Sequence, residues 1–402
     1  MVNPIKSIYL DNAATTAVAP AVVEAMLPYF TKAYGNPSSL YELGQQAHGA
    51  LTTARDQIAA HLNARSQDIY FTSCGTESNN WALKETMFAY QSKGRHLITS
   101  SIEHHATSHS CAWLEKRGYE VTYLPVDADG LVDPAVFEAA IRPDTVLASI
   151  IHGNNEIGTI QPIRQLAAIA HEHGVLFHTD SVQTVAHLPV DIADLGVDML
   201  SASGHKFNAP KGVGLLYIKK GVRTRSFMDG GAQERKRRAG TENVPYIVGM
   251  ARALDLALST LTERTQTETE LRDHLIDRVL AEVEHCRLNG HRTQRLPGNA
   301  NFSFEFVEGE SLLLTLEQKG IMASSGSACA SGSLDPSHVL LAIGLPHEIA
   351  HGSLRLSLSH ETSREDIDYT VEAIKQTVTH LRTMSPLYED FLAGKKQLSA
   401  VK

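Results

Sequence analysis

Between residues 69 and 218 the chain alternates short, β-branched apolar runs with amphipathic stretches, a pattern that few folds accept. The runs fall at 69–72, 96–99, 121–124, 146–151, 175–178 and 213–218. Their nearly continuous apolar character predicts strands covered on both faces. Helical spacing separates them, as at 82–91 and 162–173. Strand and helix in repeated order predict an α/β fold with a mostly parallel sheet flanked by helices. The stretch from Asp180 to Lys206 leaves room for one more strand.

A second region follows a long polar helix. Leu271, Leu275, Ile276, Val279, Leu280 and Val283 recur at helical spacing. Strand-like segments come at 301–306 and 353–359, and a last helix starts near Ser363, with Asp366 placed for a capping box. Its stripe is Ile367, Val371, Ile374, Val378 and Leu381. At 402 residues and 43% hydrophobic content the chain is long enough for two domains. The expected division is a large domain over 16–258 and a smaller α+β domain made of 1–15 with 259–402.

A net charge of -9 argues against nucleic acid as the main partner. The basic run Arg235-Lys236-Arg237-Arg238, interrupted by Glu234 and Glu242, reads as a solvated loop. Cys74, Cys111, Cys286 and Cys329 show no paired spacing, so neither a zinc ribbon nor a dithiol motif is expected. Scattered cysteines fit a reducing, cytoplasmic setting. No signal peptide is read at the N-terminus, and no membrane span, since no run of about 18 apolar residues occurs.

Five elements carry chemistry. Lys206 closes Ser203-Gly204-His205-Lys206 on a turn-rich loop, where an amine can form an imine with an aldehyde; alone, it reads equally as a surface lysine. Asp180 ends the run at 175–179, where ligands of open α/β sheets gather, with Gln183 one turn on; it could hold a pyridine nitrogen protonated or cap a helix. Ser73-Cys74-Gly75-Thr76-Glu77-Ser78 follows a strand and opens a helix, whose N–H groups could bind phosphate with Gly75 allowing close approach, or be capped in the ordinary way by Ser73 or Thr76. Residues 323–333 are small apart from one thiol, Cys329, which suits a sulfur that visits a substrate and then an acceptor. Arg355 projects opposite the leucines of an alternating strand, where it could clamp a carboxylate or make a surface ion pair. His347-Glu348-Ile349-Ala350-His351 matches the zinc-hydrolase pattern, but Pro346 and Gly352 leave no room for the helix that pattern needs, so no metal site is expected. His171, His173 and His178 read as a chance cluster among twenty histidines.

Together these motifs resemble the cysteine desulfurases of the NifS/IscS type, in the aminotransferase class V group of pyridoxal phosphate (PLP) enzymes. The resemblance runs from Tyr9-Leu10-Asp11-Asn12-Ala13-Ala14-Thr15-Thr16 to Ser385-Pro386-Leu387-Tyr388. It includes Gly35-Asn36-Pro37-Ser38-Ser39, Asn154-Asn155-Glu156-Ile157-Gly158, His178-Thr179-Asp180-Ser181-Val182-Gln183 and Arg238-Ala239-Gly240-Thr241-Glu242-Asn243. The Cys74 and Arg238 segments look closer to the nitrogen-fixation NifS branch. The resemblance implies PLP-dependent transferase fold type I, with a seven-stranded sheet in the large domain. It implies that Lys206 holds PLP and moves protons, that Asp180 pairs with the ring nitrogen, and that Gln183 and Asn155 bond the phenolic oxygen. His104 would stack on the ring and act in acid–base steps. Gly75, Thr76, Ser203 and His205 would hold the phosphate, and Thr241 would reach the phosphate of the other subunit in a homodimer. Arg355 and Asn155 would bind the carboxylate of L-cysteine, and Cys329 would be the nucleophile. L-alanine, a Cys329 persulfide and sulfur delivery to an iron–sulfur scaffold are the implied outcome. Two positions depart from the family pattern: Tyr41 stands where a histidine is usual, and Ala330 where threonine is frequent.

Overall fold

The computed structural model describes residues 6–326 and 336–395. A short β1 (Ile8–Tyr9) precedes the strands of the central sheet. These are β2 (Ile69–Thr72), β3 (His96–Ser100), β4 (Glu120–Leu124), β5 (Thr145–Ile151), β6 (Leu176–Asp180), β7 (Met199–Ser203) and β8 (Gly214–Ile218). They lie in the order β2-β8-β7-β6-β5-β3-β4. Only β8 runs against its neighbours, β2 and β7; every other pairing is parallel. The mostly parallel α/β sheet expected from the apolar runs is therefore present. The additional strand is β7, whose serines hide it among its apolar neighbours.

Successive residues of one strand enter different cores, as the two-residue period of a strand requires. Ile69 and Phe71 face a core shared with the helices Glu42–His61 and Val244–Ser259, whereas Tyr70 packs on the other face with Trp81, Met87 and Leu114. Within the sheet, His178 ties three strands together. Its Nδ1 meets Ser149 Oγ at 2.8 Å and its Nε2 meets Ser201 Oγ at 2.9 Å. That histidine is a satisfied core residue, not a ligand.

The second region holds β9 (Cys286–Leu288), β10 (Asn299–Phe304), β11 (Ile321–Met322) and β12 (Ser353–Ser357). Antiparallel β12-β10-β9 form one sheet, and β1 pairs in parallel with β11. Ile8 and Leu10 share a core with Leu275, Phe302, Leu354 and Ile367, so the N-terminal residues pack with this region. The helix Arg364–Thr383 starts with the expected capping box between Ser363 and Asp366. Val339, Leu340, Ile343 and Ile349 pack against Ile102, Ile151 and Ile157 of the larger body. No single helix among the described residues is long and apolar enough to cross a membrane.

The basic run at 235–238 is only in part the solvated loop that its charge pattern suggests: Arg235 and Lys236 are exposed, but the run is docked at both ends. Arg235 stacks over the Tyr70 ring at 4.2 Å, and Arg238 grips Glu77 with N···O distances of 2.8 and 3.1 Å. Glu234 is buried and accepts both Arg55 and the Phe71 N–H. Glu234, Arg235 and Lys236 all adopt positive φ (42°, 59° and 63°) to make this docking possible.

Candidate active site

The carboxyl ends of β5, β6 and β7 open into a cavity of about 280 Å³. Asp180 enters as the last residue of β6, and Ser203, His205 and Lys206 enter from the turn that ends β7. Gly75 and Thr76 come from the first turn of a helical run that follows β2. His104 precedes the helix His105–Glu115, Asn155 and Glu156 lie in the turn after β5, and Arg355 reaches in from β12. The described residues expected from sequence thus meet in one cavity, Gln183 included and Thr241 excepted.

Lys206 Nζ donates to the carbonyls of Ala13 (2.6 Å) and Ala14 (2.9 Å), which aim the amine across the cavity floor. Gln183 Nε2 donates to the same Ala13 carbonyl at 2.9 Å. Asp180 is buried and caps no helix. Its Oδ2 accepts from Asn79 Nδ2 at 2.5 Å, and its Oδ1 accepts from the Val182 N–H at 3.0 Å. A carboxylate fixed by two donors keeps its direction, which a charge partner for a ring nitrogen requires.

The end nearest Lys206 fits a phosphate. No side chain caps the helix that begins at Gly75, so its first N–H groups remain for an anion. Ser203 Oγ is buried without a hydrogen-bond partner, a costly state that a bound oxygen would relieve. A Cβ on Gly75 would stand 2.5 Å from Val182 Cγ2 and 3.4 Å from Ser203 Cβ. Glycine therefore lets the helix start close to the strand ends. His205 Nδ1 contacts Thr15 Oγ1 at 3.1 Å, and burial first, then the charges of Lys206 and Lys211, push its pKa down to about 4. An aldehyde-bearing pyridine phosphate matches this set: amine, carboxylate and phosphate cradle in one cleft.

His104 caps its helix, Nδ1 accepting the Ala106 N–H at 3.1 Å. The neutral ring therefore carries its proton on Nε2. Burial is the main cause that lowers its pKa; Asp180 opposes, and Lys206 and His338 add to the lowering. As placed, His104 is a donor and an apolar face; it accepts a proton only by giving up the cap.

Arg355 is buried rather than part of a surface pair. It bonds Asp11 Oδ1 at 2.6 Å and the Asn155 carbonyl at 2.9 Å, and its Nε has no partner. Sequence reasoning assigned no role to Asp11, Asn79, Glu103 or Glu156, because each acts through a residue distant in the chain. Glu103, directly before His104, is buried with one oxygen unpartnered, and burial pushes it up to about 8.

Thr241 lies outside this cavity, beside Ser73, Gly212 and Arg238 in a separate depression. Cys329 lies outside the described residues. The segment His347–Ala350 is a single four-residue turn of helix, with the His347 and His351 rings 6.2 Å apart between centroids.

The aminotransferase class-V family model matches residues 8–370. A cysteine desulfurase IscS of Methanosarcina thermophila is 56% identical over 95% of this chain and 94% of its own length. That of Dictyoglomus turgidum is 50% identical over 97% of this chain and 99% of its own. Among solved structures, a NifS-like protein superposes with a TM-score of 0.88 at 37% identity, covering 93% of this chain and all of the other. SspA in complex with cysteine gives 0.80 at 36%, over 89% of this chain and all of SspA.

Proposed function

The chain belongs to the aminotransferase class-V family, and from that premise we propose that it is a PLP-dependent cysteine desulfurase. It takes sulfur from L-cysteine, releases L-alanine and carries the sulfur as a persulfide on Cys329. The observation that carries the reading is the meeting of Lys206, Asp180, the unpartnered Ser203 hydroxyl and Arg355 around one cavity.

Lys206 would hold the cofactor aldehyde, Asp180 its ring nitrogen, Gln183 and Asn155 its phenolic oxygen, and Gly75, Thr76, Ser203 and His205 its phosphate. PLP, when bound, supplies an electron-withdrawing ring that stabilises negative charge at the substrate α-carbon. Arg355, with its unpartnered Nε, and Asn155 orient the L-cysteine carboxylate. Lys206 Nζ, aimed by two carbonyls, moves the proton at the α-carbon. His104 covers the site and, with its proton on Nε2, donates a hydrogen bond there. The Cys329 thiolate attacks the substrate sulfur; the S–S bond forms, the C–S bond breaks, and the bond pair stays with the carbon, which takes up the proton that the Cys329 thiol gave up and becomes the alanine methyl.

The same reading carries a cytoplasmic homodimer in which Thr241 serves the phosphate of the neighbouring subunit. The sulfur acceptor is an iron–sulfur scaffold, nitrogen fixation being one setting for it. The test is alanine release and Cys329 persulfide, measured after L-cysteine addition on the holoenzyme. Wild type gives both, Lys206→Ala loses the cofactor absorbance and both products, and Cys329→Ala keeps the absorbance and loses both products. A cofactor-loaded wild type that releases no alanine overturns the reading.

A further inference from the structure

Glu156 lines the cavity, is buried, and is used neither by the cofactor cradle nor by the carboxylate clamp. Its backbone is fixed from several sides. Its N–H donates to Asn154 Oδ1 at 2.8 Å, and its carbonyl accepts from Asn299 Nδ2 at 3.3 Å and Asn301 Nδ2 at 3.1 Å. The carboxyl is thereby held at the seam between the central sheet and β10. Its Oε2 accepts a 2.5 Å hydrogen bond from Ser337 Oγ. Ser337 is the N-cap of the helix His338–Ala342, taking the N–H groups of Val339 and Leu340 at 3.1 and 3.3 Å. The same oxygen borders Gly326, where an added Cβ would stand 3.3 Å from it. Gly326 adopts φ +93°, and its N–H is held by Ser324 Oγ at 3.1 Å.

One carboxyl oxygen therefore bonds the chain that follows Cys329, at Ser337, and borders the chain that precedes it, at Gly326. Two residues separate Gly326 from Cys329, three Cα–Cα steps that span at most about 11 Å whatever the conformation. Where Gly326 sits thus bounds where the thiol can be. Burial keeps Glu156 neutral more readily than an exposed glutamate, up to about 7, while Ser337 and Arg355 favour its ionised form. A carboxyl desolvated at this cost without a partner in the cofactor or carboxylate sites calls for a role of its own.

We propose that Glu156 is a positioning residue for the sulfur-transfer step, anchoring the chain that follows Cys329 through its bond to Ser337 and limiting by contact the chain that precedes it at Gly326. This rests on the cysteine-desulfurase reading. It separates two functions within one cavity: Arg355, Lys206 and Asp180 bind and activate the substrate, and Glu156 sets the approach of the thiol that receives its sulfur.

The test uses holoenzyme of wild type, Glu156→Ala, Glu156→Gln and Ser337→Ala. L-cysteine binding is read from the cofactor absorbance, persulfide formation from single-turnover mass spectrometry of Cys329. Backbone hydrogen exchange is read at 324–326 and 337–340. Glu156→Ala and Ser337→Ala are expected to slow persulfide formation about tenfold or more, because a displaced attacking group loses alignment. L-cysteine affinity is expected to stay within about threefold, since no substrate contact is removed. Exchange rises at both flanks. Glu156→Gln, whose amide oxygen still accepts from Ser337, is expected to recover the rate to within about threefold and to restore the protection. Wild-type rates in both alanine variants, equal losses in binding and rate, or a glutamine variant as slow as alanine would each overturn the proposal. If Glu156→Ala does not fold, Ser337→Ala decides the matter alone. A wild type that makes no alanine condemns the functional reading instead, so the two failures are told apart.

Discussion

Arg355 shows what a sequence can and cannot say about a single side chain. Alternation in Ser353-Leu354-Arg355-Leu356-Ser357 places it opposite the leucines, and that side proves to be the cavity side. Nothing local announces Asp11, 344 positions away, as its ion-pair partner. The same holds for Asn79 on Asp180 and for Glu156 on Ser337. Residues with their own chemistry, such as Lys206 and Asp180, are legible by type and place. Residues that orient them are ordinary polar side chains until the fold brings the pair together. The geometry makes Arg355→Lys a severe change despite the kept charge. A lysine ammonium is a single point that lacks the planar fork by which separate nitrogens of Arg355 reach Asp11 and the Asn155 carbonyl and leave Nε over for a carboxylate. Losing one charge-assisted bond, about 1.5–3 kcal/mol, is expected to raise KM for L-cysteine about 10- to 100-fold while the cofactor absorbance persists. Steady-state kinetics with absorbance spectra check this; an unchanged KM removes Arg355 from substrate binding.

At the level of elements, strands announced themselves by apolar runs, and β7 stayed hidden because its composition serves two other tasks. Ser201 completes the His178 tie, and Ser203 ends the strand at the cavity. The helical run after β2 was legible from its position behind a strand, and its close approach from Gly75; the neighbour that demands a glycine, Val182, was not. That approach depends on Gly75, whose missing Cβ leaves room for Val182. Gly75→Ala places a carbon 2.5 Å from Val182 Cγ2, so the helix start must move and its N–H groups no longer converge. Affinity for pyridoxal phosphate is expected to fall about tenfold, on the scale of one lost charge-assisted hydrogen bond. Pyridoxal, which lacks the phosphate, is expected to bind this variant nearly as it binds wild type. Absorbance titration of cofactor-free protein with both aldehydes makes the comparison. An equal loss for the two would show that the helix start does not read phosphate.

Across the whole molecule, buried titratable groups of opposite kind set how stability responds to pH. Burial holds His152, His187 and His205 neutral down to about 4, and His178 to about 3. Unfolding returns them to about 6.5, so below that pH the unfolded chain binds more protons and stability falls as pH falls. Burial also pushes Glu103 up to about 8 and Glu156 and Glu268 up to about 7. These return to about 4.3 on unfolding, so above that pH the folded chain binds more protons and stability falls as pH rises. From about pH 5 to 6.5 the two sets oppose each other, and the histidines, joined by His96, His104, His105 and His338, which burial also lowers, outweigh the carboxyls. Well above 6.5 the carboxyls dominate, and below about 4.5 the histidines do, joined by carboxylates held low, Glu77, Asp273, Glu308 and Asp366 among them. Burial alone would raise the Glu77 pKa, but hydrogen bonds from Arg238 and Ser73 outweigh it, so that carboxylate's contribution is lost in acid. The expected result is a melting temperature of cofactor-free protein that rises to a maximum near about pH 6.5 and drops by a few degrees by pH 8. Glu103→Gln, which cannot ionise, is expected to shallow the alkaline drop and leave the acid limb alone. Calorimetric scans across this range test both parts. A wild-type melting temperature that climbs steadily from pH 6.5 to 8 would mean that these carboxyls ionise freely inside the fold, and the buried charge arrangement behind the cavity would have to be redrawn.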